Sequence, residues 1–261
     1  VLVIGLAKSG VAVAKLLLHQ GAIVTVNDRI PLEENPDAKS LIEEGIRVLA
    51  GSHPVDLLEE HFDFVVKNPG IPYHNCMVEA AMKKGVPVYT EVEIAYHLLE
   101  GLMIGITGSN GKTTTTTLAS LMLKESFLER QVYAAGNIGI PLSQLAESST
   151  KEDIYVSELS SFQLMGIDQF KPKIACIVNI FSAHLDYHGT REEYIKAKLQ
   201  LTKNQTEEDY LVYNADYPEL MTLIKGHTEA TLVPFSRKNI LDFGASVKDN
   251  YICFNGEKVI P

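Results

Sequence analysis

The stretch from Leu102 to Thr117, LMIGITGSNGKTTTTT, constrains the fold of this chain more than any other segment. A short apolar run leads into a Gly-rich turn, Lys112 and Thr113 follow that turn, and a helical pattern comes next. This order predicts a strand that feeds a phosphate-binding loop at the start of a helix. We therefore expect Lys112 to reach the β- and γ-phosphates of a nucleotide, and the Thr113 hydroxyl to join the shell of a Mg²⁺ ion.

The spacing departs from the usual G-x-x-x-x-G-K-[ST] pattern, because Ile106 stands where the first glycine is expected. A Gly-rich turn that binds nothing is the alternative. We favour phosphate binding, since a lysine between a glycine and a threonine run has no packing purpose at the start of a helix. The predicted nucleotide-binding residues are Gly108, Ser109, Asn110, Gly111, Lys112, Thr113 and Thr114.

Composition narrows the classes of function. The chain has 261 residues, 46% of them apolar, which is enough for two domains with separate cores. A net charge of -10 argues against non-specific binding to nucleic acid or to anionic membranes. Cys76, Cys176 and Cys253 form no C-x-x-C pair, so the pattern predicts neither a disulfide framework nor a structural zinc site and fits a reducing cytoplasm. No apolar run is long enough for a membrane span.

Both ends of the sequence lie close to apolar strand patterns. Val1 stands inside such a pattern without an initiator Met, and Pro261 follows another apolar stretch. We therefore expect this chain to be part of a longer enzyme.

The first part of the chain has the order of a mononucleotide-binding βαβ unit. An apolar strand at residues 1–4 is followed by the turn GLAKSG, a helix, a second strand and Asp28. Ala7 occupies the position where a middle glycine would let a pyrophosphate approach. Two interpretations stay open: Lys8 and Ser9 bind a phosphate while Asp28 binds a ribose or base, or this half is Rossmann-like and binds nothing.

A second turn, NPGIP at residues 68–72, follows another predicted strand. Ligands of open α/β sheets lie at the carboxyl ends of strands, although proline and glycine also serve in plain turns.

Polar residues follow two further predicted strands after the phosphate loop. The strand at residues 154–156 leads to Glu158, which we expect to be the Mg²⁺ partner of Thr113; a solvated acidic loop residue is the alternative. The strand predicted at residues 174–180 delivers Asn179 near its end, and His184, Asp186 and His188 after it, into a loop.

Four motifs together resemble the Mur ligases of peptidoglycan synthesis: TGSNGKTTT at 107–115, GNIGIPL at 136–142, ELSSFQL at 158–164, and the N-x-x-x-x-H-L-D run from Asn179 to Asp186. The resemblance implies an α/β protein with a Rossmann-like N-terminal domain (residues 1–100) that binds the UDP of a sugar-nucleotide. It also implies a central phosphate-loop ATPase domain with a mostly parallel sheet (residues 101–261, truncated at its C-terminal end). The third, C-terminal domain of the family is missing from this chain.

The resemblance also implies an activity, because ELSSFQL, GLAKSG and NPGIP favour the branch of the family that adds D-glutamate. That activity is an ATP-dependent amide ligase that joins D-glutamate to UDP-N-acetylmuramoyl-L-alanine through an acyl phosphate. ATP and two Mg²⁺ ions are the implied cofactors, and we expect a cytoplasmic monomer that binds neither nucleic acid nor membrane.

Site residues follow from the same resemblance, position by position. The implied catalytic residues are Lys112, His184 and Lys198. The implied metal ligands are Thr113, Glu158, His184 and Lys198, the last as a carbamate formed with CO₂; Lys196 is the weaker candidate for that lysine. The implied substrate-binding residues are Lys8, Ser9, Asp28, Gly70, Asn137, Ser160 and His184.

Three alternatives remain at this point. A sister Mur ligase or a folylpolyglutamate synthetase would share the phosphate loop and differ in substrate. A GTPase switch would use Asp186 to Gly189 as D-x-x-G, but the chain contains no N-K-x-D motif for guanine. A nucleotide-binding module without catalysis is the third.

Overall fold

The computed structural model describes residues 1–261, and the chain forms two compact units. The first unit consists of Val1–Glu100 together with the segments Ile140–Thr150 and Phe162–Asp168. The second consists of Gly101–Gly139, Lys151–Ser161 and Gln169–Pro261. Neither unit is therefore one continuous stretch of sequence.

The first unit is built on a five-stranded parallel sheet with the order β3-β2-β1-β4-β5. Its strands are β1 (Leu2–Ile4), β2 (Thr25–Asp28), β3 (Arg47–Ala50), β4 (Val65–Lys67) and β5 (Val88–Tyr89). Its helices are α1 (Lys8–His19), α2 (Pro36–Glu43), α3 (Cys76–Lys83), α4 (Glu91–Tyr96) and α6 (Ser143–Ala146). Short 3₁₀ turns span Leu32–Glu34 and Val55–Glu59.

Both faces of this sheet are covered, which explains the continuous apolar character of β1. Val3 packs in a core with α1 and α2, whereas Leu2 and Ile4 pack in a second core on the opposite face with α3. Gly10 allows α1 to approach the sheet closely, because a Cβ there would lie 1.9 Å from the Gly5 carbonyl oxygen. The turn after β1 is thereby held against the carboxyl ends of the strands.

The structure adds elements that the sequence pattern did not predict between residues 30 and 60. Helix α2 begins at Pro36, directly after Asn35, whose side chain accepts a hydrogen bond from the Ala38 amide at 3.0 Å. Strand β2 begins at Thr25, and Ile23 before it is 89% exposed and does not join the sheet.

The second unit contains a nine-stranded sheet with the order β14-β13-β12-β11-β10-β9-β6-β8-β7. The pairs from β7 through β12 are parallel, and the last two pairs are antiparallel. Its strands are β6 (Leu102–Thr107), β7 (Val132–Gly136), β8 (Ile154–Glu158), β9 (Ile174–Ile177), β10 (Tyr210–Asn214), β11 (Thr231–Ser236), β12 (Ala245–Lys248), β13 (Tyr251–Phe254) and β14 (Glu257–Ile260). The remaining helices are α5 (Lys112–Ser126), α7 (Ser161–Leu164), α8 (Leu185–His188), α9 (Arg191–Leu199) and α10 (Pro218–Ile224).

The central strand of this sheet, β6, lies between β8 and β9 and packs in a core with both. The carboxyl ends of these three strands therefore meet at one edge, where the phosphate loop, Glu158 and the loop after β9 begin. The predicted α/β class with mostly parallel sheets is confirmed. None of the helices has the length and apolar character needed to cross a membrane.

Candidate active site

The predicted phosphate loop joins β6 to α5. Strand β6 ends at Thr107, and α5 begins at Lys112 after Gly111, which adopts the left-handed conformation with φ 79°. Glycine adopts that conformation without the steric penalty of a side chain. The first-turn amides of this 15-residue helix have no partner within the helix, so its N-terminus provides donors and a positive dipole for an anion.

Two backbone amides of the loop donate hydrogen bonds to the side chain of Asn179. The N–H groups of Ser109 and Asn110 donate to Asn179 Oδ1 at 3.1 and 3.0 Å, and Asn179 Nδ2 donates to the Asn110 carbonyl at 3.0 Å. In this structure both amides are occupied by Asn179, and the predicted nucleotide contacts of Ser109 and Asn110 stay a prediction. Asn179 fixes the outer side of the loop, and the first turn of α5 is left to meet the anion.

The Ser109 side chain connects the loop to two further segments. Its hydroxyl lies 2.8 Å from the Tyr194 hydroxyl, and it accepts the Phe181 amide at 2.8 Å. Tyr194 is 1% exposed and belongs to α9, which also carries Lys198. No signal in the sequence predicted the contact of Tyr194 with Ser109. For the contacts of Asn179 with the loop, the N-x-x-x-x-H-L-D motif was the only signal.

Two lysine side chains converge on one carbonyl oxygen of the loop. Lys112 Nζ and Lys198 Nζ each donate to the Gly108 carbonyl at 2.9 Å. Burial lowers the pKa of Lys198 to about 7, with a smaller contribution from the Lys112 charge, and burial also lowers the pKa of Lys112. Two amino groups this close to a helix N-terminus favour a bound anion.

Lys198 is the buried member of the predicted lysine pair of α9. It is 1% exposed, and its Nζ lies 4.8 Å from the centre of the Tyr194 ring. Lys196, by contrast, is exposed and forms an ion pair with Glu193 at 2.8 Å. The structure therefore places Lys198, and not Lys196, beside the phosphate loop.

Glu158 is the last residue of β8 and is 1% exposed. Its carboxylate accepts hydrogen bonds from Thr113 Oγ1 and from Asn137 Nδ2, both at 2.7 Å. Its charge also acts on Lys112 and Lys198, where it opposes the lowering of their pKa values by burial. Because carboxylate and hydroxyl oxygens suit Mg²⁺, Glu158 and Thr113 fit a magnesium ion.

His184 lies on the loop after β9, at the position before α8, with a backbone φ of 53°. It is exposed, and its ring centre lies 6.3 Å from that of Tyr194. His188, four residues on, is held by Ser161 Oγ at 2.9 Å. The structure brings no three His, Cys, Asp or Glu side chains together for a metal, so a second ion would need ligands of other types beside His184. Ser160, also predicted, is buried at 9% exposure.

The first unit has its own cavity at the carboxyl ends of β1, β2 and β4, here called the nucleotide cavity. Its volume is about 400 Å³, and its lining residues are Gly5, Leu6, Ala7, Asp28, Arg29, Ile30, His53, Asn68, Gly70, Ile71, Pro72 and Asn75. Two predicted substrate-binding residues, Asp28 and Gly70, line it. Ser9 accepts a hydrogen bond from Asn68 Nδ2 at 3.1 Å, and Lys8 is exposed at the start of α1.

Asp28 has a structural role that the sequence did not indicate. One carboxylate oxygen accepts the Leu6 amide at 2.6 Å, and the other accepts the Ile30 amide at 2.8 Å. The carboxylate thus holds the turn after β1 and keeps lone pairs that a ligand in the cavity can use. Its predicted ribose or base contact stays a prediction.

Comparison with known proteins decides the family. Residues 106–251 match the Mur ligase middle domain, and residues 1–90 match the N-terminal domain of MurD-like Mur ligases. The chain belongs to the Mur ligase family. Its curated relatives in this family include proteins named UDP-N-acetylmuramoylalanine–D-glutamate ligase. The one from Latilactobacillus sakei subsp. sakei is 54% identical over 261 residues, and the one from Geobacillus kaustophilus is 56% identical over 260 residues. Each alignment covers 100% of this chain and 57% of the relative.

Solved structures of Mur ligases share the fold. A UDP-N-acetylmuramate:L-alanyl-gamma-D-glutamyl-meso-diaminopimelate ligase from Neisseria meningitides matches with a TM-score of 0.62 at 17% identity, covering 98% of this chain and 84% of that chain. A murein peptide ligase from Psychrobacter arcticus matches with a TM-score of 0.58 at 16% identity, covering 98% and 58%. At these identities the similarity concerns the fold alone.

Proposed function

We propose that a protein carrying this chain is an ATP-dependent amide ligase that adds D-glutamate to UDP-N-acetylmuramoyl-L-alanine. Relatives at 54% and 56% identity bear the name of that activity. The chain spans 57% of the length of these relatives, so the activity belongs to the longer protein. The part described here would supply the ATP site and the UDP site.

The observation that carries the proposal is the convergence of Lys112 and Lys198 on the Gly108 carbonyl, at the N-terminus of α5. Phosphoryl transfer needs little covalent chemistry from the protein and depends on position and charge. Lys112 and the first-turn amides of α5 would bind the β- and γ-phosphates and offset the negative charge that moves between oxygens.

Magnesium would be held by the groups around Glu158. Thr113 and Glu158 would bind the first ion, and His184 with Lys198, as a carbamate, would bind a second. When bound, Mg²⁺ acts as a Lewis acid on phosphate oxygens. A carbamate suits Lys198, because this side chain is 1% exposed and would exchange a buried cation for an anion beside a metal.

The reaction divides into two steps. The γ-phosphoryl group of ATP passes to the L-alanyl carboxylate, so that an acyl phosphate and ADP form. The amine of D-glutamate then attacks the acyl carbon, and the tetrahedral intermediate loses a proton and expels phosphate as the amide forms. Lys112 remains close to the transferred phosphoryl group in both steps and stabilises its charge.

The UDP moiety would occupy the nucleotide cavity of the first unit. Its proposed contacts are Lys8, Ser9, Asp28 and Gly70. Asp28 and Gly70 line the cavity, and Ser9 accepts a hydrogen bond from Asn68, which also lines it. Asn137 and Ser160 are further proposed contacts of the UDP-sugar substrate. The three cysteines are free thiols, which supports a cytoplasmic location; a monomeric state stays a prediction.

Binding of MgATP to the 261-residue chain tests the ATP site. Lys112→Ala removes the half-buried phosphate lysine at the first position of α5, so we expect the fold to persist and the affinity for MgATP to fall by at least roughly tenfold. Lys124→Ala, at the exposed far end of the same helix, is the matched control. Equal affinities of the two variants in isothermal titration calorimetry would refute the assignment of Lys112, and so would turnover retained by the longer protein with Lys112→Ala.

A further inference from the structure

His53 lines the nucleotide cavity and was not assigned a role from the sequence. It follows β3, which pairs with β2, and Asp28 at the end of β2 lines the same cavity. The cavity therefore has two side chains on this side that can accept hydrogen bonds, one carboxylate and one imidazole.

A buried amide fixes which ring nitrogen of His53 carries the proton. Asn27 is 0% exposed, and its Nδ2 donates to the carbonyls of Leu49 and Ser52 at 3.0 and 2.8 Å. Carbonyl oxygens only accept, so the amide nitrogen must face them and Oδ1 must face the other way. Asn27 Oδ1 lies 2.6 Å from His53 Nδ1, and since that oxygen also only accepts, Nδ1 carries the hydrogen.

The other ring nitrogen is therefore an acceptor in the neutral ring. A neutral imidazole with hydrogen on Nδ1 has a lone pair on Nε2. Nε2 makes no hydrogen bond within the protein, while the ring borders the cavity. An unused acceptor in a ligand cavity favours a ligand that presents an N–H or O–H group there, and disfavours one that presents a lone pair.

We propose that His53 is a specificity-determining residue whose Nε2 accepts a hydrogen bond from the nucleoside half of UDP, either from uracil N3–H or from the ribose 2′-hydroxyl. The assignment rests on the proposed function, which puts UDP in this cavity. Uracil has a hydrogen at N3, whereas cytosine has a lone pair there. Together with Asp28, His53 makes this side of the cavity suited to donors, and the helix N-terminus of α1 remains for phosphate oxygens.

The test measures UDP binding to the 261-residue chain by isothermal titration calorimetry, with all titrations at the same pH. The ligands are UDP, N3-methyl-UDP, which lacks the imide hydrogen, and 2′-deoxy-UDP, which lacks one ribose hydroxyl. The proteins are the unaltered chain, His53→Phe, and His61→Phe as the control. His61 is exposed and does not line the cavity.

We expect His53→Phe to bind UDP roughly 3- to 10-fold more weakly, the effect of one lost hydrogen bond, and His61→Phe to bind it unchanged. The decisive result is coupling: the analogue that lacks the donor should bind the unaltered chain more weakly than UDP does, but should bind His53→Phe as well as UDP does. Coupling with N3-methyl-UDP identifies the base as the donor, and coupling with 2′-deoxy-UDP identifies the ribose.

The analogues also test the assignment if His53→Phe does not fold, because they can be compared on the unaltered chain. UDP binding with no preference over either analogue would overturn the role of His53 and leave the proposed function standing. A folded His53→Phe with an equal loss of affinity for all three ligands would overturn it as well. No UDP binding by the unaltered chain would overturn the proposed UDP site, and this assignment with it.

Discussion

Asn179 is expected to hold the phosphate loop in its binding conformation, and Asn179→Ala tests this directly. The side chain is 9% exposed and makes three hydrogen bonds to Ser109 and Asn110. The Ser109 amide keeps a second acceptor, the Asn179 main-chain carbonyl at 3.0 Å, so two bonds are fully lost. At about 1 kcal/mol for each bond, the free energy of unfolding should fall by about 2 kcal/mol, or less where water replaces the partner of exposed Asn110.

The assay combines urea unfolding with amide hydrogen exchange. Asn110→Ala is the matched control, because it removes an exposed side chain from the same loop and should change the free energy of unfolding by less than about 0.5 kcal/mol. The Asn110 amide should exchange roughly tenfold faster in Asn179→Ala, as expected for about 1.4 kcal/mol of lost local stability. Equal stabilities of the two variants, with unchanged exchange at Asn110, would show that Asn179 does not fix the loop.

Three further predictions concern buried charged groups. Glu158→Gln should weaken ATP binding by at least roughly tenfold in the presence of Mg²⁺ and change it little with EDTA, as titration calorimetry would show; equal effects in both buffers would exclude a magnesium role. Under ¹³CO₂, Lys198→Met should lose a carbamate signal in ¹³C NMR that the control Lys196→Met retains; the opposite pattern would move the carbamate to Lys196. Burial lowers the pKa of Lys67 to about 7. Above that pH the unfolded chain binds more protons than the folded chain does. The free energy of unfolding should therefore rise between pH 7 and 9 by about 1 kcal/mol per pH unit through Lys67. In urea unfolding, Lys67→Met should show a smaller rise of the free energy of unfolding with pH over this range. An unchanged dependence on pH would contradict the role of Lys67.

The parts of the site that the sequence predicted are those with local signals. Glycines, a lysine and threonines in one short segment specify the turn from β6 into α5, and the apolar run before Glu158 specifies the strand that ends there. Parallel strands then bring their carboxyl ends together without further information. For this reason Thr113 and Glu158 could be paired in advance, and the structure places them 2.7 Å apart.

Contacts between distant residues could not be predicted in this way. The bonds from Asn179 to Asn110 and from Tyr194 to Ser109 join residues 69 and 85 positions apart. Most residues of α9 are charged or polar, and the helix pattern alone does not show that packing places Lys198 at 1% exposure. The sequence predicted a ligand role for Asp28, which stays a prediction, but not its support of the turn after β1, because the Leu6 amide reaches it only in the folded sheet.

Phosphate release by a protein that carries this chain at the full length of its relatives tests the central proposal most directly. The assay supplies ATP, Mg²⁺ and UDP-N-acetylmuramoyl-L-alanine, with D-glutamate, L-glutamate, L-lysine or meso-diaminopimelate in separate reactions. Release that depends on D-glutamate alone is the predicted result. If the protein binds ATP but releases no phosphate with any of the four amino acids, the result would contradict the proposed ligase activity. The assignment of the phosphate loop would be unaffected.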